Sequence, residues 1–118
     1  MPLRRPVIEA LALTERIREI LEDKKAQDTV VLDVREDSTI TDYYVITSGM
    51  SAPHLKALFG DIQHQLKQEG VQCYRRAGTP EAGWMVLDYV DVITHIFVPE
   101  TREFYAIESL WEQAPRID

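Results

Sequence analysis

The sequence predicts an α/β (α+β) domain: a mixed β-sheet of about five strands flanked by helices on both faces. Three observations predict it. The chain has 118 residues, the size of one domain with one core, so residues 1–118 read as a single unit. Two segments carry apolar residues at steps of three and four, the period of a helix with one buried side. Around them lie short β-branched runs, several apolar on both faces, which need cover on both sides.

From Val7 to Lys25, Ala10, Leu13, Ile17, Ile20 and Leu21 form the apolar stripe of a first helix, with Glu15, Arg18, Glu19 and Glu22 facing away. "DKKAQD" is a polar linker. Thr29 to Val34 is a strand, "REDSTITD" a loop, and Tyr43 to Ser48 a second strand. Gly49 breaks that strand, and Ser51 is placed to cap a helix that has Pro53 in its first turn. Leu55, Leu58, Phe59, Ile62 and Leu66 carry this helix to about Glu69, and Gly70 ends it. "VQCY" reads as a short strand and "RRAGTPEAG" as a mobile loop. "WMVLDY" and "VITHIFV" follow as two strands separated by Val90 and Asp91, an antiparallel hairpin. "PETREFYAIESLW" gives one or two short helical turns, and "EQAPRID" is a frayed tail.

Hydrophobic residues make up 45% and charged residues 28%, an ordinary globular balance. The net charge of −7 argues against naked nucleic acid as the main partner, because phosphate binding needs a basic surface. An acidic domain still fits a ribonucleoprotein if it docks on a basic protein there. Cys73 stands alone, so no intrachain disulfide or thiolate metal cluster forms, and a reducing cytosol fits. The N-terminal "MPLRRPVIEALAL" starts positive and turns apolar, but Glu9 interrupts it and no small-residue cleavage site follows. It is not read as a signal peptide, no apolar run approaches the roughly 18 residues of a membrane span, and a cytoplasmic location is expected.

"LDYVDVITHIF" sets Asp88, Asp91 and His95 in an apolar run and raises the question of catalysis. Asp91 falls in the hairpin turn, where aspartate bonds local backbone. With a two-residue turn Ile93 lies opposite Asp88 and His95 is its diagonal neighbour, within reach of a hydrogen bond. Such a pair either activates a nucleophile or is a polar pair satisfied within a sheet. No serine or cysteine has a recognisable nucleophile context, which favours the second. A two-metal site draws carboxylates from alternate positions of one strand, and the chain has no acid-x-acid pair. His54 and His64 are ten apart, not at the four-residue zinc spacing, and read as exposed helix residues. "TSGMS" lacks the lysine and glycine density of a phosphate loop. Cys73 reads as an inert thiol in an apolar strand. No cofactor and no metal site are expected. Phe104 and Trp111 read as core, whereas Trp84 and Tyr105 stand at element ends, where aromatics anchor partners.

"DSTITDYYVITSGMSAPHLKAL" and "GWMVLDYVDVITHIFVPETREFYAIESLW" resemble the iojap-like ribosomal silencing factors. The matching positions are Ser38, Thr41, Asp42, Tyr43, Gly49, Ser51, His54, Trp84, Asp88, Asp91, Val92, His95, Phe97, Arg102, Tyr105, Leu110 and Trp111, and the likeness runs from about Ala10 to Trp111. The resemblance implies a nucleotidyltransferase-like fold without the catalytic acids, and no enzyme activity. It implies binding to the large ribosomal subunit through protein fourteen of the large-subunit series, which blocks subunit joining and represses translation. Asp42, Gly49, Ser51 and His95 then serve as structural motif residues. The expected contact patch joins Trp84, Asp88 and Tyr89 with Tyr105 and Trp111, ringed by acids such as Glu100 and Glu108. The family usually has glycine where this chain has Val90, and a β-branched residue resists positive φ, so a wider hairpin loop is expected. Two rival readings remain. One is a metal-dependent nucleotidyltransferase or hydrolase using Asp33, Asp42, Asp88 and His95. The other is a homodimer paired through its aromatics.

Overall fold

The computed structural model describes residues 4–117, apart from the side chains of residues 7 and 8. Residues 1–3, where the N-terminal stretch begins, and Asp118, the end of the expected frayed tail, lie outside the described residues.

Helix α1, Val7–Asp23, buries Ala10, Leu13, Ile17, Ile20 and Leu21. It ends before the expected Lys25, which takes a φ of 62°. The Lys25 and Ala26 N–H groups donate back to the Glu22 and Leu21 carbonyls, a left-handed stop made without glycine. Helix α2, Ala52–Gln68, buries Leu55, Leu58, Ile62 and Leu66. The Ser51 hydroxyl accepts from the His54 N–H at 3.2 Å, as the capping pattern predicts. Gly70, at φ 84°, closes the far end.

Among the described residues six strands form one sheet: β1 (Gln27–Asp33), β2 (Tyr43–Ser48), β3 (Arg75–Thr79), β4 (Trp84–Asp88), β5 (Val92–Phe97) and β6 (Arg116–Ile117). Their order is β3-β4-β5-β2-β1-β6, with β2 and β5 parallel and the other neighbours antiparallel. The mixed sheet is as expected, with one strand more. A short helix α3, Pro99–Tyr105, and a 3₁₀ segment, Ile107–Trp111, follow β5.

Two expectations fail at the sheet edges. "VQCY" is irregular, and the strand lies in the stretch read as a loop, at β3. All five β3 residues are exposed, so no apolar alternation marks the strand. The tail also does more than fray. Arg116 and Ile117 pair with Leu32 and Val31, and the Asp33 N–H donates to the Pro115 carbonyl at 2.9 Å.

Helices α1 and α2 cover one sheet face, over Val31, Tyr43, Val45, Leu87, Tyr89, Val92 and Ile96. The other face carries Leu32, Val34, Ile46 and Phe97, covered by Ile107, Trp111 and Ala114 from the C-terminal segment. That cover lies over β1, β2 and the Phe97 end of β5, with Tyr105 of α3 against Trp84 of β4. Toward β4 and β3, Val86 and Asp88 are half-buried and Ala77 and Thr79 exposed, so part of this face stays open.

Candidate functional site

Strand alternation decides which side chains share the open face. The registers pair Trp84 with Phe97, Val86 with His95, Asp88 with Ile93, and Ile93 in turn with Tyr44. Trp84, Asp88, His95 and Tyr44 therefore stand on one side of the sheet. Tyr44, His95 and Trp84 form a row of rings at stacking distances. Tyr44 lies 5.5 Å from both Trp111 and His95, His95 lies 5.9 Å from Trp84, and Trp84 lies 4.7 Å from Tyr105. Phe97 stacks on Trp84 at 5.0 Å, and Phe104 meets Tyr105 edge-on. At the end of the row Phe104 is 80% and Tyr105 51% exposed, and Leu110 nearby in sequence is 74% exposed. Phe104 is not the core residue its sequence context suggests. The sheet-facing work of α3 is done by Arg102, which donates to the Ser48 hydroxyl at 2.9 Å and to the Glu108 carboxylate at 2.6 Å.

His95 takes a partner other than the one expected. Trp84 Nε1–H donates to His95 Nδ1 at 3.1 Å, which assigns the imidazole proton to Nε2. Burial depresses the His95 pKa to about 4, so the ring is neutral at pH 7 and able to accept that bond. Asp88 lies opposite Ile93 as expected, but its carboxylate accepts from the Val90 N–H at 2.7 Å. The hairpin turn is tight, contrary to the expected wider loop. The Tyr89 N–H donates to Val92, and the Asp91 N–H donates to Tyr89 across Val90, which has a φ of 79°. That is the strained γ-turn.

The N-terminal segment holds this strained turn in place. Arg5 Nη1 donates to the Tyr89 carbonyl and to the Asp91 carboxylate, both at 2.8 Å, and the Arg5 N–H donates to Asp91 at 2.6 Å. The Asp91 side chain is fully buried, and its carbonyl accepts from the N–H groups of Asp42 and Tyr43. Hydrophobic burial fixes the turn from below. Tyr89, expected in the contact patch, is 1% exposed and packs under the helices on the opposite face. Its position is odd where Trp84 and Asp88 are even, so strand parity places it there.

The motif residues act as scaffold. Asp42 accepts from Arg4 at 2.8 Å. A Cβ on Gly49 would stand 2.7 Å from Leu55 Cδ1, so a larger residue there makes the Leu55 side chain under α2 shift. His54 is no free helix residue. Its Nδ1 accepts from the Met50 N–H at 2.9 Å, and its Nε2 bonds the Lys24 carbonyl at 2.7 Å, tying the start of α2 to the end of α1. Cys73 is half-buried outside any strand, and burial raises its thiol pKa.

The four groups of the catalytic reading do not converge. Asp33 is ion-paired to Arg35 at 2.7 Å, which lowers its pKa, Asp42 is held by Arg4, Asp88 by the turn, and His95 by Trp84. Among the described residues no three His, Cys, Asp or Glu side chains are placed to hold a metal ion. The open face offers rings and exposed acids instead. Glu100 and Glu103 of α3 are exposed, while Glu108 is engaged by Arg102. Such a surface suits apolar and cationic side chains of a partner. Sequence reasoning missed Tyr44 and His95 as members of the row, although the parity of the two runs aligns both with Trp84.

Comparison with known proteins gives a consistent set. The model of a protein family described as "Ribosomal silencing factor during starvation" matches residues 7–118. The chain is 35% identical over 97 residues to the ribosomal silencing factor of Bacillus subtilis strain 168, covering 82% of each. It is 33% identical over 95 residues to the mouse protein named for mitochondrial assembly of the ribosomal large subunit, covering 78% of this chain and 42% of that one. A crystal structure of a protein from Chromobacterium violaceum superposes with a TM-score of 0.84 at 30% identity, covering 87% of this chain and 86% of that one.

Proposed function

The chain belongs to the ribosomal silencing factor family, and from that membership we propose that it represses translation by seating its open aromatic face on a basic protein of the large ribosomal subunit. The partner is protein fourteen of the large-subunit series, which the family likeness implies and which fits an acidic domain. The observation that carries the reading is the row from half-buried Tyr44, His95 and Trp84 to exposed Tyr105 and Phe104, on a sheet whose other face is covered by helices. The name of the mouse relative points to the same subunit.

The mechanism is steric. Contacts between subunits form at hydrogen-bond and van der Waals range, roughly 3–4 Å. A domain of 34 × 34 × 27 Å on the joining face leaves the small subunit no room to dock. Exposed Glu100 and Glu103 steer the approach to a cationic protein, and the rings supply the grip. No bond is made or broken, and the work is done in the cytoplasm, where the ribosomes are.

Cosedimentation with purified large subunits tests the face. Trp84→Ala or Tyr105→Ala should weaken binding by about 1–2 kcal/mol, roughly five- to thirty-fold. Unchanged binding by variants with intact circular dichroism would remove this face from the account. The exposure of Phe104 and Leu110 also fits a homodimer that covers the same rings before the ribosome is met. Light scattering decides: a two-chain mass that falls to one chain with Trp84→Ala supports it, and a monomer at every concentration rejects it.

A further inference from the structure

The chain carries a net charge of −7, yet one edge of its sheet is basic. β3 is that edge, and every residue in it is exposed. Alternation sends Arg75 toward the aromatic face, opposite Asp88, and Arg76 toward α2. Arg76 donates to the Gln63 amide oxygen, and Lys67, one helical turn on, lines the same cleft of about 160 Å³. Arg75 lies over the Tyr74 ring at 4.7 Å and donates to its hydroxyl at 2.9 Å, and Tyr74 is itself 44% exposed.

The partners of these two arginines set them apart. Arg4, Arg5, Arg16, Arg18, Arg35 and Arg102 each ion-pair with a carboxylate. Among the described residues, Arg75, Arg76 and Arg116 do not, and of these three Arg75 and Arg76 stand together on one strand while Arg116 lies at the opposite edge. The guanidinium of Arg75 and that of Arg76 are each positioned by a neutral group and make no carboxylate ion pair, although Asp88 on the neighbouring strand partly offsets the charge of Arg75. Charges on an edge strand also deter strand addition, but any flexible lysine would do that without fixing. A positioned guanidinium fork matches a phosphate, and an adjacent exposed ring supplies a stacking plane for a base.

We propose that the β3 edge, with Tyr74, Arg75, Arg76 and Lys67, grips the phosphate backbone of ribosomal RNA beside the protein on which the aromatic face sits. The inference rests on the ribosome reading above and adds a second contact to it. Phosphate contacts fix register and orientation rather than sequence. In a domain of net negative charge a pair of adjacent arginines on one edge favours one orientation on RNA. Arg75 links the two contacts, standing at the border between the edge and the open face.

The test compares wild type with the double variant Arg75→Gln/Arg76→Gln on two probes. One is the purified large subunit, and the other is its protein fraction stripped of RNA. Two lost phosphate contacts lower the salt slope by about 1.4–1.8. Between 50 and 200 mM salt the variant should therefore lose about tenfold less affinity for the subunit than wild type does. Its binding to the RNA-free proteins should be unchanged, and Arg75→Lys/Arg76→Lys should keep most of the wild-type salt slope. An unchanged slope for the double glutamine variant would overturn the RNA contact. So would an equal loss on both probes, which would assign the edge to an acidic protein segment. If wild type itself fails to bind large subunits, the ribosome reading falls first and this contact with it.

Discussion

His95 makes the structure of the aromatic face sensitive to mild acid. Its pKa is held near 4 in the folded chain by burial, against 6.5 for an ordinary histidine. Between those values the unfolded chain binds a proton that the folded chain refuses, so stability falls as pH drops from 6.5 toward 4 and is fully present above 6.5. The full gap corresponds to about 3 kcal/mol, of which about 2 kcal/mol is lost by pH 5. Protonation would also turn Nδ1 into a donor and remove the acceptor for Trp84 Nε1–H. His95→Gln keeps an acceptor within reach of Trp84 and does not titrate. Urea unfolding of both proteins at pH 7.5 and pH 5 isolates His95, because every other titrating group is common to the pair. The wild type should lose about 2 kcal/mol more than the variant on acidification. Equal losses would refute the burial of a neutral imidazole beneath Trp84.

Removing the side chain that holds the hairpin turn should be costly. Arg5→Ala leaves the fully buried Asp91 carboxylate without its guanidinium, and urea unfolding at pH 7 should show a loss of about 3 kcal/mol. A loss below about 1 kcal/mol would mean that the pair contributes little to holding the turn. Val90→Gly should stabilise the protein by about 1 kcal/mol, since glycine accepts the φ of 79° that a β-branched residue resists. An unchanged or lowered stability would show that the turn holds no strain for glycine to relieve.

Both long helices were legible in the sequence because each has a repeating apolar stripe, and for α2 the caps were legible as well. Ser51, Pro53 and Gly70 mark α2 by chemistry that does not depend on tertiary contacts. The β4–β5 register was legible too, since a two-residue turn sets Asp88 opposite Ile93. β3 and β6 were not, because a fully exposed strand and a two-residue strand carry no apolar period. The candidate site was half legible. Trp84 and Tyr105 are legible as aromatics at element ends, and Asp88 and Trp111 enter only through the family resemblance, but the face each occupies depends on pairing. Tyr89 went to the wrong face for want of a parity count. The bond from Trp84 to His95 joins two strands, and nothing local to either residue announces it. Arg5 has no role legible in the sequence beyond the positive start of a stretch rejected as a signal peptide, because its partners lie more than eighty residues away.

The central claim is that this domain represses translation by standing between the ribosomal subunits. The most direct measurement is a sucrose gradient of purified large and small subunits, mixed with and without the protein. The account predicts fewer joined ribosomes and more free subunits, with the protein riding on the large subunit and the effect weakened by Trp84→Ala. Joining that proceeds unchanged while the protein is demonstrably bound to large subunits would contradict it.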